Sequence, residues 1–212
     1  MSTVSDLPPR RAPLPTNRGR QTQAAIDTAA RTVIARKGIL TTTIADIAAE
    51  AGRSTASFYN YYDSKEAMVR EWALRLRDEL GEAVKLVTQH GLSTRERAYQ
   101  FAAAHWRTYK HQLAEIVSMS QLAMVNDDFA QYWAEICALP TSFITETVRR
   151  AQADGYCVGD DPQLVAMAIV AMLNQFCYWQ LTGPAATEPD DDACIATLAN
   201  IFYRAIYYKE GY

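Results

Sequence analysis

A short polar segment that begins at Thr55 carries side chains suited to hydrogen bonding with nucleic acid. The stretch TASFYNY, which ends at Tyr61, offers hydroxyls and one amide but no charged group. Such groups can pair with base edges and phosphate oxygens, and the major groove of DNA is wide enough to admit a helix. Phe58 is the only residue in the segment clearly suited to face inward. The segment therefore predicts a recognition helix or, alternatively, an ordinary helix with a solvated polar face.

The residues just before this segment predict a helix and a tight turn that would position it. Gly52 can adopt the left-handed conformation that ends a helix, and the hydroxyl of Ser54 can cap the next one. Helix pairs joined by a glycine turn are common, so the spacing alone also fits a plain helical hairpin. The apolar residues of the first helix recur at helical spacing and are Ile44, Ile47, Ala48 and Ala51.

The chain on either side of this unit divides into a proline-rich start and further helices. Residues 1–22 contain four prolines and four arginines, so we expect no regular helix there. They form either a disordered leader or a basic arm that becomes ordered on DNA, with Arg18 and Arg20 nearest the folded part. A helix is predicted over residues 22–37 and another after Ser64.

Charge is distributed unevenly along the 212 residues, although the net charge is only −3. Residues 1–65 contain nine Lys and Arg against five Asp and Glu, whereas the remainder is acidic, with twelve against nineteen. A basic first third favours contact with a polyanion.

The rest of the chain also has helical patterns. Ser93 and Glu96 form a capping box, and Asp127 opens a helix that we expect to be interrupted or bent near Pro140 and to resume over residues 141–153. Residues 163–183 carry no charged side chain, but their acidic flanks and internal amides favour a buried helix over a membrane span. A last helix is predicted over residues 190–209.

The sequence lacks the motifs of an enzyme or a metal protein. The four cysteines and three histidines have no metal-ligand spacing, and we find no nucleophile, phosphate-loop or HExxH pattern. We therefore expect no cofactor, no metal and no catalytic residue, and free thiols in a reducing cytoplasm. An all-α enzyme or an adaptor without DNA binding stays as the alternative class.

The residues from Gln21 to Glu66 resemble the N-terminal helix-turn-helix of the TetR family of transcriptional regulators. The resemblance rests on the run TIADIAAEAG, the serine cap at Ser54, the Phe58-Tyr59 pair and the run YYDSKE that leads into the next helix. This sequence departs from the family pattern at four positions, which affect the operator sequence rather than DNA binding. These positions are Arg53, Thr55, Ala56 and Tyr62.

The resemblance implies an all-α protein of about nine helices that acts as a homodimeric DNA-binding regulator. We expect a basic flexible arm at residues 1–20, a three-helix DNA-binding domain at 21–66 and a ligand-binding and dimerisation domain at 67–212. A repressor of a near-palindromic operator is expected, and an activator is the alternative.

The DNA contacts expected from this reading are two groups of side chains and Arg53, which is assigned to neither group. Side chains expected on phosphates are Thr43, Ser54, Ser57, Tyr59 and Lys65. Side chains expected near base edges are Thr55, Ala56, Asn60 and Tyr61.

The middle of the chain is rich in aromatic residues and methionine, which fits a pocket for a small apolar effector or, alternatively, ordinary core packing. The candidates include no Lys or Arg, which argues against a polyanionic ligand. The predicted pocket residues are Trp106, Tyr109, Met119, Met124, Trp133, Phe143, Asn174, Gln175 and Tyr178.

The last two helices carry much apolar surface, and the resemblance implies that they pair with a second subunit in a four-helix bundle. The alternative is that several of these residues fill the core of the single chain. The predicted interface residues are Ala166, Ile169, Val170, Leu173, Leu198, Phe202 and Ala205.

Overall fold

The computed structural model describes residues 17–87, 91–183 and 190–209, with the side chains of residues 80–87 outside this description. In these ranges the chain forms nine helices and no strand, which confirms the predicted all-α class. It divides into two compact units, one ending at Met68 and the other beginning at Val69, and the boundary falls within the fourth helix.

The N-terminal unit contains three helices and the start of a fourth. The helix α1 packs against α2 by burying Ile26, Ala30 and Val33 on one face. Two exposed ion pairs, Arg36 with Glu50 and Lys37 with Asp46, also join these helices. The bounds are α1 Asn17–Lys37, α2 Ile44–Glu50, α3 Thr55–Tyr59 and α4 Lys65–Val87.

The first helix begins five residues earlier than predicted, at Asn17 rather than Thr22. The expectation that residues 1–22 hold no regular helix is therefore wrong for residues 17–22. The last proline of the segment is Pro15, so no ring opposes the helix beyond it. Arg18 and Arg20 accordingly belong to α1, and the rest of the predicted arm, residues 1–16, lies outside the described residues.

The C-terminal unit holds five further helices, each begun by a specific cap or junction. Ser93 and Glu96 form the predicted capping box, and Asn126, Asp161 and Asp190 cap α7, α8 and α9 through their side chains. The helix α5 packs against α8 and α9, and α7 packs against α6 and α8. The bounds are α5 Thr94–His111, α6 Leu113–Ala123, α7 Asp127–Ala153, α8 Pro162–Thr182 and α9 Asp191–Ile206.

The helix α7 continues through Pro140, so of the two predicted outcomes, an interruption or a bend, the interruption is wrong. Proline lacks an N–H and cannot donate to the carbonyl four residues earlier. The carbonyl of Ile136 therefore lacks its helical donor, and on the same turn the hydroxyl of Thr141 donates to the carbonyl oxygen of Cys137 at 2.7 Å. The helix therefore loses one backbone hydrogen bond without ending.

The apolar helix α8 buries only one of its faces. Ala166, Leu173 and Cys177 are fully buried, whereas Leu164 and Trp179 are about two thirds exposed. Its length and composition would permit a membrane span, but these two criteria are also met by core helices of other proteins. The expectation of a buried helix thus holds for one face of α8.

Candidate nucleic-acid interface and ligand cavity

The start of α2 is fixed by a capping box that the sequence did not single out. Thr43 Oγ1 accepts a hydrogen bond from the backbone N–H of Asp46 at 3.2 Å, and the Asp46 carboxylate accepts one from the N–H of Thr43 at 2.8 Å. Hydrogen bonds from Lys37 and then from Thr43 hold the pKa of Asp46 well below its usual range. The hydroxyl of Thr43, a predicted phosphate contact, therefore also serves the helix cap.

The turn between α2 and α3 has the geometry that its residues predict. Gly52 has a φ of +62°, in the left-handed region that favours glycine. The N–H of Arg53 donates to the carbonyl of Ala48 at 2.9 Å, which closes the turn. Ser54 Oγ then accepts from the N–H of Ser57 at 3.2 Å and so caps α3.

The helix α3 presents its polar residues to solvent and anchors itself through one aromatic ring. Phe58 is fully buried, whereas Tyr59 is half exposed. The helix ends at Tyr59, two residues before the predicted end, and Asn60 forms its C-cap. Exposed candidates for DNA contact are Thr43, Arg53, Ser54, Thr55, Ala56, Tyr59 and Asn60, and half-buried ones are Ser57 and Tyr61.

Lys65 makes contacts inside the protein that the sequence did not predict. Its ammonium donates hydrogen bonds to the backbone carbonyls of Ile39 at 2.8 Å, Leu40 at 3.3 Å and Thr42 at 2.9 Å. An ammonium has three protons to donate, and these three acceptors match that number. Lys65 therefore holds the loop between α1 and α2 against the start of α4, within the N-terminal unit.

Tyr62, one of the departures from the family pattern, is explained by a buried polar pair. Its hydroxyl donates to the carboxylate of Asp27 at 2.6 Å and accepts from Gln23 Nε2 at 3.1 Å. Both Tyr62 and Asp27 are buried. A phenylalanine at this position could not provide the donor that the Asp27 carboxylate uses.

The C-terminal unit contains a cavity of about 60 Å³. Three of the nine predicted pocket residues line it: Tyr109, Trp133 and Asn174. The other residues of its lining are Leu76, Phe101, Ala104, His105, Thr108, Ile116, Ile136, Cys137, Pro140 and Val170.

The other six predicted pocket residues lie elsewhere. Trp106 is fully buried, and its Nε1 donates to the carboxylate of Asp191 at 3.0 Å, so it joins α5 to α9. Phe143 stacks on Phe101 with ring centroids 5.2 Å apart, outside the lining. The rest are the buried Met119, the exposed Met124 and Gln175, and the half-buried Tyr178.

The polar groups of the cavity are neutral, and sequence reasoning missed most of them. Burial lowers the pKa of His105 to about 4 and raises the pKa of Cys137 to about 11. The neighbouring side chain of Asn174 slightly opposes this rise in the pKa of Cys137. His105 follows Phe101 and precedes Tyr109 by four residues each, so the helical spacing of α5 could have identified it.

One cavity residue, Leu76, belongs to α4, the helix that begins at Lys65. It is fully buried, as the apolar stripe of α4 predicts. A ligand in the cavity would therefore touch α4 directly.

Six of the seven predicted interface residues are core residues of the single chain. Their exposure is at most 5%, and only Ala205 is half-buried. A residue without exposed surface has almost none to bury against a partner, so the core alternative holds for these six. They are Ala166, Ile169, Val170, Leu173, Leu198 and Phe202.

The exposed apolar residues of α8 and α9 are different ones. Leu164, Met167 and Trp179 are 65%, 53% and 67% exposed on α8, and Ile201 is 45% exposed on α9. With the exposed Ala171, the three α8 residues follow helical spacing and define one stripe.

Comparison with known proteins identifies the N-terminal unit by sequence. Residues 26–72 match the family model of bacterial regulatory proteins of the tetR family. The HTH-type transcriptional repressor KstR2 of Rhodococcus jostii (strain RHA1) is 30% identical over 129 residues. That alignment covers 54% of this chain and 62% of the repressor.

Solved structures share the fold over most of the chain. A bacterial regulatory protein of the tetR family from Rhodococcus RHA1 has a TM-score of 0.74 at 21% identity, with 90% of this chain and 99% of that one covered. The ketosteroid transcriptional regulator KstR2 of Mycobacterium tuberculosis has a TM-score of 0.70 at 20% identity, with 93% and 98% covered. Identity this low supports the fold alone.

These matches are to regulatory proteins, which agrees with the expectation that the chain is not an enzyme. The sequence match lies on the helix-turn-helix described above, and the fold extends over the remaining helices. Residues 26–72 therefore match the DNA-binding domain of the tetR family of bacterial regulatory proteins, and the described chain has the fold of a solved member of that family.

Proposed function

We propose that this protein is a cytoplasmic, homodimeric transcriptional repressor that binds a near-palindromic operator and is released from it by a small, uncharged and largely apolar effector. The repressor relative with 30% identity supports the direction of regulation. Activation is the alternative outcome of the test below.

The observation that carries the proposal is the geometry of α2, the turn and α3. Gly52 and Ser54 fix the turn, Phe58 anchors α3, and its polar residues remain exposed. A helix presented in this way can enter the major groove and place its first residues on base edges. The excess of positive charge in residues 1–65 would favour association with the phosphate backbone.

The dimer in this proposal uses the exposed stripe of α8 with Ile201 of α9. Contiguous exposed apolar residues mark interaction surfaces, and a two-fold dimer buries the same patch on both subunits. Two recognition helices would then read half-sites about 34 Å apart, or a multiple of that distance.

The effector site in this proposal is the cavity of the C-terminal unit. Its apolar walls and neutral polar groups suit an apolar molecule with few polar atoms. One structural relative is a regulator named for ketosteroids, which are molecules of this kind. Leu76 connects the cavity to α4, so a ligand that shifts α4 would change the separation of the two recognition helices. The ligand must bind the two arrangements unequally, because only its differential affinity can release DNA.

Footprinting of the DNA upstream of the protein's own gene tests the proposal. We expect one protected, near-palindromic segment, with affinity that falls steeply as salt increases. Reporter expression that rises on deletion of the protein would support repression, and expression that falls would support activation. Absence of specific duplex binding, or turnover of a substrate by the purified protein, would favour the adaptor or enzyme class instead.

A further inference from the structure

We infer that His105 determines which ligands the cavity accepts, by hydrogen-bonding one oxygen of an uncharged, mostly apolar molecule such as an alcohol or a ketone. The inference rests on the proposal that the cavity binds an effector. It adds the chemistry of that effector and the residue that recognises it.

The position of the His105 ring supports this role. The residue lines the cavity, and its Nε2 atom has almost no solvent-exposed surface and no hydrogen-bond partner among the described residues. A buried polar atom without a partner has lost its hydrogen bonds to bulk water without replacement. A ligand whose oxygen reaches Nε2, once the side chains that cover this atom shift, would therefore be favoured over a hydrocarbon of the same shape.

Cys137 and Asn174 are two other polar residues of the cavity lining. The side chain of Asn174 lies beside the Cys137 thiol and slightly opposes the rise in its pKa. Apolar side chains such as Leu76, Ile116 and Val170 form other parts of the wall. The hydroxyl-bearing side chains of Thr108 and Tyr109 also belong to the lining, so variants at His105 are needed to assign a polar preference to this residue.

The electrostatics of the cavity select for a neutral ligand. The lining contains no Asp, Glu, Lys or Arg side chain among the described residues. Since burial keeps the pKa of His105 near 4, its imidazole is neutral at pH 7 and presents one donor and one acceptor nitrogen. A carboxylate bound here would be buried without a counter-charge, which is unfavourable.

Three matched aromatic probes can test the inference on the full chain. Phenol offers a hydroxyl, toluene replaces it with a methyl group, and benzoate carries a charge. Compact rings are suitable because the cavity measures only about 60 Å³ and has to widen for larger molecules. Isothermal titration calorimetry of each probe with the wild type, His105→Phe and His111→Phe gives the dissociation constants. His111 is the matched control because it is an exposed histidine of the same helix, outside the lining.

We expect phenol to bind the wild type more tightly than toluene, and benzoate to bind more weakly than either. His105→Phe should reduce the phenol-to-toluene preference roughly tenfold, the size expected for one hydrogen bond, and His111→Phe should not change it. Equal losses for both probes, an unchanged preference, or no binding of any probe would overturn the inference.

A second measurement covers the case in which His105→Phe does not fold. In ¹⁵N NMR spectra of the wild-type histidine rings, phenol should shift the Nε2 resonance of His105 more than toluene does. The His105→Gln variant assigns that resonance, and equal shifts would contradict the inference. Operator binding by the wild type without any probe tests the proposed function separately: absence of specific DNA binding contradicts the repressor, whereas an unchanged probe preference contradicts only the role of His105.

Discussion

The hydroxyl of Tyr62 donates a 2.6 Å hydrogen bond to the carboxylate of Asp27, and both residues are buried. Replacing Tyr62 with Phe removes the donor and leaves a buried carboxylate with one partner fewer. We expect Tyr62→Phe to lower the free energy of unfolding by about 1–3 kcal/mol, measured by urea denaturation.

The matched control for this prediction is Tyr99→Phe, because Tyr99 is an exposed tyrosine of α5. Its stability should stay within about 0.5 kcal/mol of the wild type. If the two variants were equally stable, the Tyr62 hydroxyl would have no net stabilising effect.

Lys65→Met should destabilise the N-terminal unit without changing the salt dependence of DNA binding. The ammonium is hydrogen-bonded to three backbone carbonyls, so its removal leaves those acceptors without their donor. We expect a loss of about 1.5–3 kcal/mol, typical of hydrogen bonds to a charged group. The slope of log affinity against log salt should be unchanged, because the three protons of the ammonium are already donated to carbonyls of the same unit.

Arg53→Gln is the contrasting variant, since Arg53 is exposed beside the cap of α3. It should retain stability and flatten the salt slope by about one unit. A flatter dependence of log affinity on log salt in Lys65→Met would indicate that Lys65 contacts a phosphate.

Asn60→Ala should relax sequence preference at one position of each operator half-site. Asn60 is exposed at the end of α3, where its amide can pair with a base edge. A bidentate contact would discriminate by about 1–3 kcal/mol at that position, measured by gel shift with a panel of single-base operator variants. Gln100→Ala, an exposed amide of α5, serves as the control. A uniform loss of affinity for every operator variant would assign Asn60 to phosphate instead.

Local features of this fold could be predicted from sequence because they depend on neighbouring residues. The Ser93 and Glu96 capping box, the Ser54 cap and the left-handed Gly52 all lie where the pattern indicates. The Lys65 and Tyr62 contacts could not be predicted in this way. Their partners lie 23 to 39 residues away, and only the tertiary fold brings them together.

The sides of α8 show a second limit of sequence reasoning. Apolar residues occupy both its buried face, with Ala166 and Leu173, and its exposed face, with Leu164 and Met167. A helix that is apolar all round has no clear periodicity, so the pattern cannot tell core from interface. The same reasoning applies to Trp106 and Trp133, since an aromatic side chain suits a core and a cavity wall equally well.

Met167→Glu should weaken the dimer. Met167 lies between Leu164 and Ala171 in the exposed α8 stripe, and a two-fold interface there would bury two new carboxylates without partners. We expect the dissociation constant of the dimer, from sedimentation equilibrium, to rise at least about tenfold, as for loss of a central contact. Val158→Glu, an exposed apolar residue outside α8 and α9, should leave it unchanged. Equal effects of both variants, or none, would place the interface elsewhere.

Trp133→Ala and Trp106→Ala should separate effector binding from core packing. Trp133 lines the cavity, so its truncation should raise the effector concentration that releases operator DNA, with little change in operator affinity without effector. If the contacts of Trp133 contribute about 1 kcal/mol to the binding free energy of the effector, this concentration should rise roughly fivefold. DNA release is measured by fluorescence anisotropy of labelled operator.

Trp106 is fully buried and donates to Asp191, so its truncation should instead lower stability by about 3–5 kcal/mol. Where Trp106→Ala still folds, the effector concentration for half-release should match that of the wild type. A shift confined to Trp106→Ala would mean that the ligand occupies the α5–α9 region rather than the cavity. If no neutral apolar compound raised the melting temperature or released DNA from the wild type, induction through the cavity would be excluded, and control by the protein's own abundance would remain.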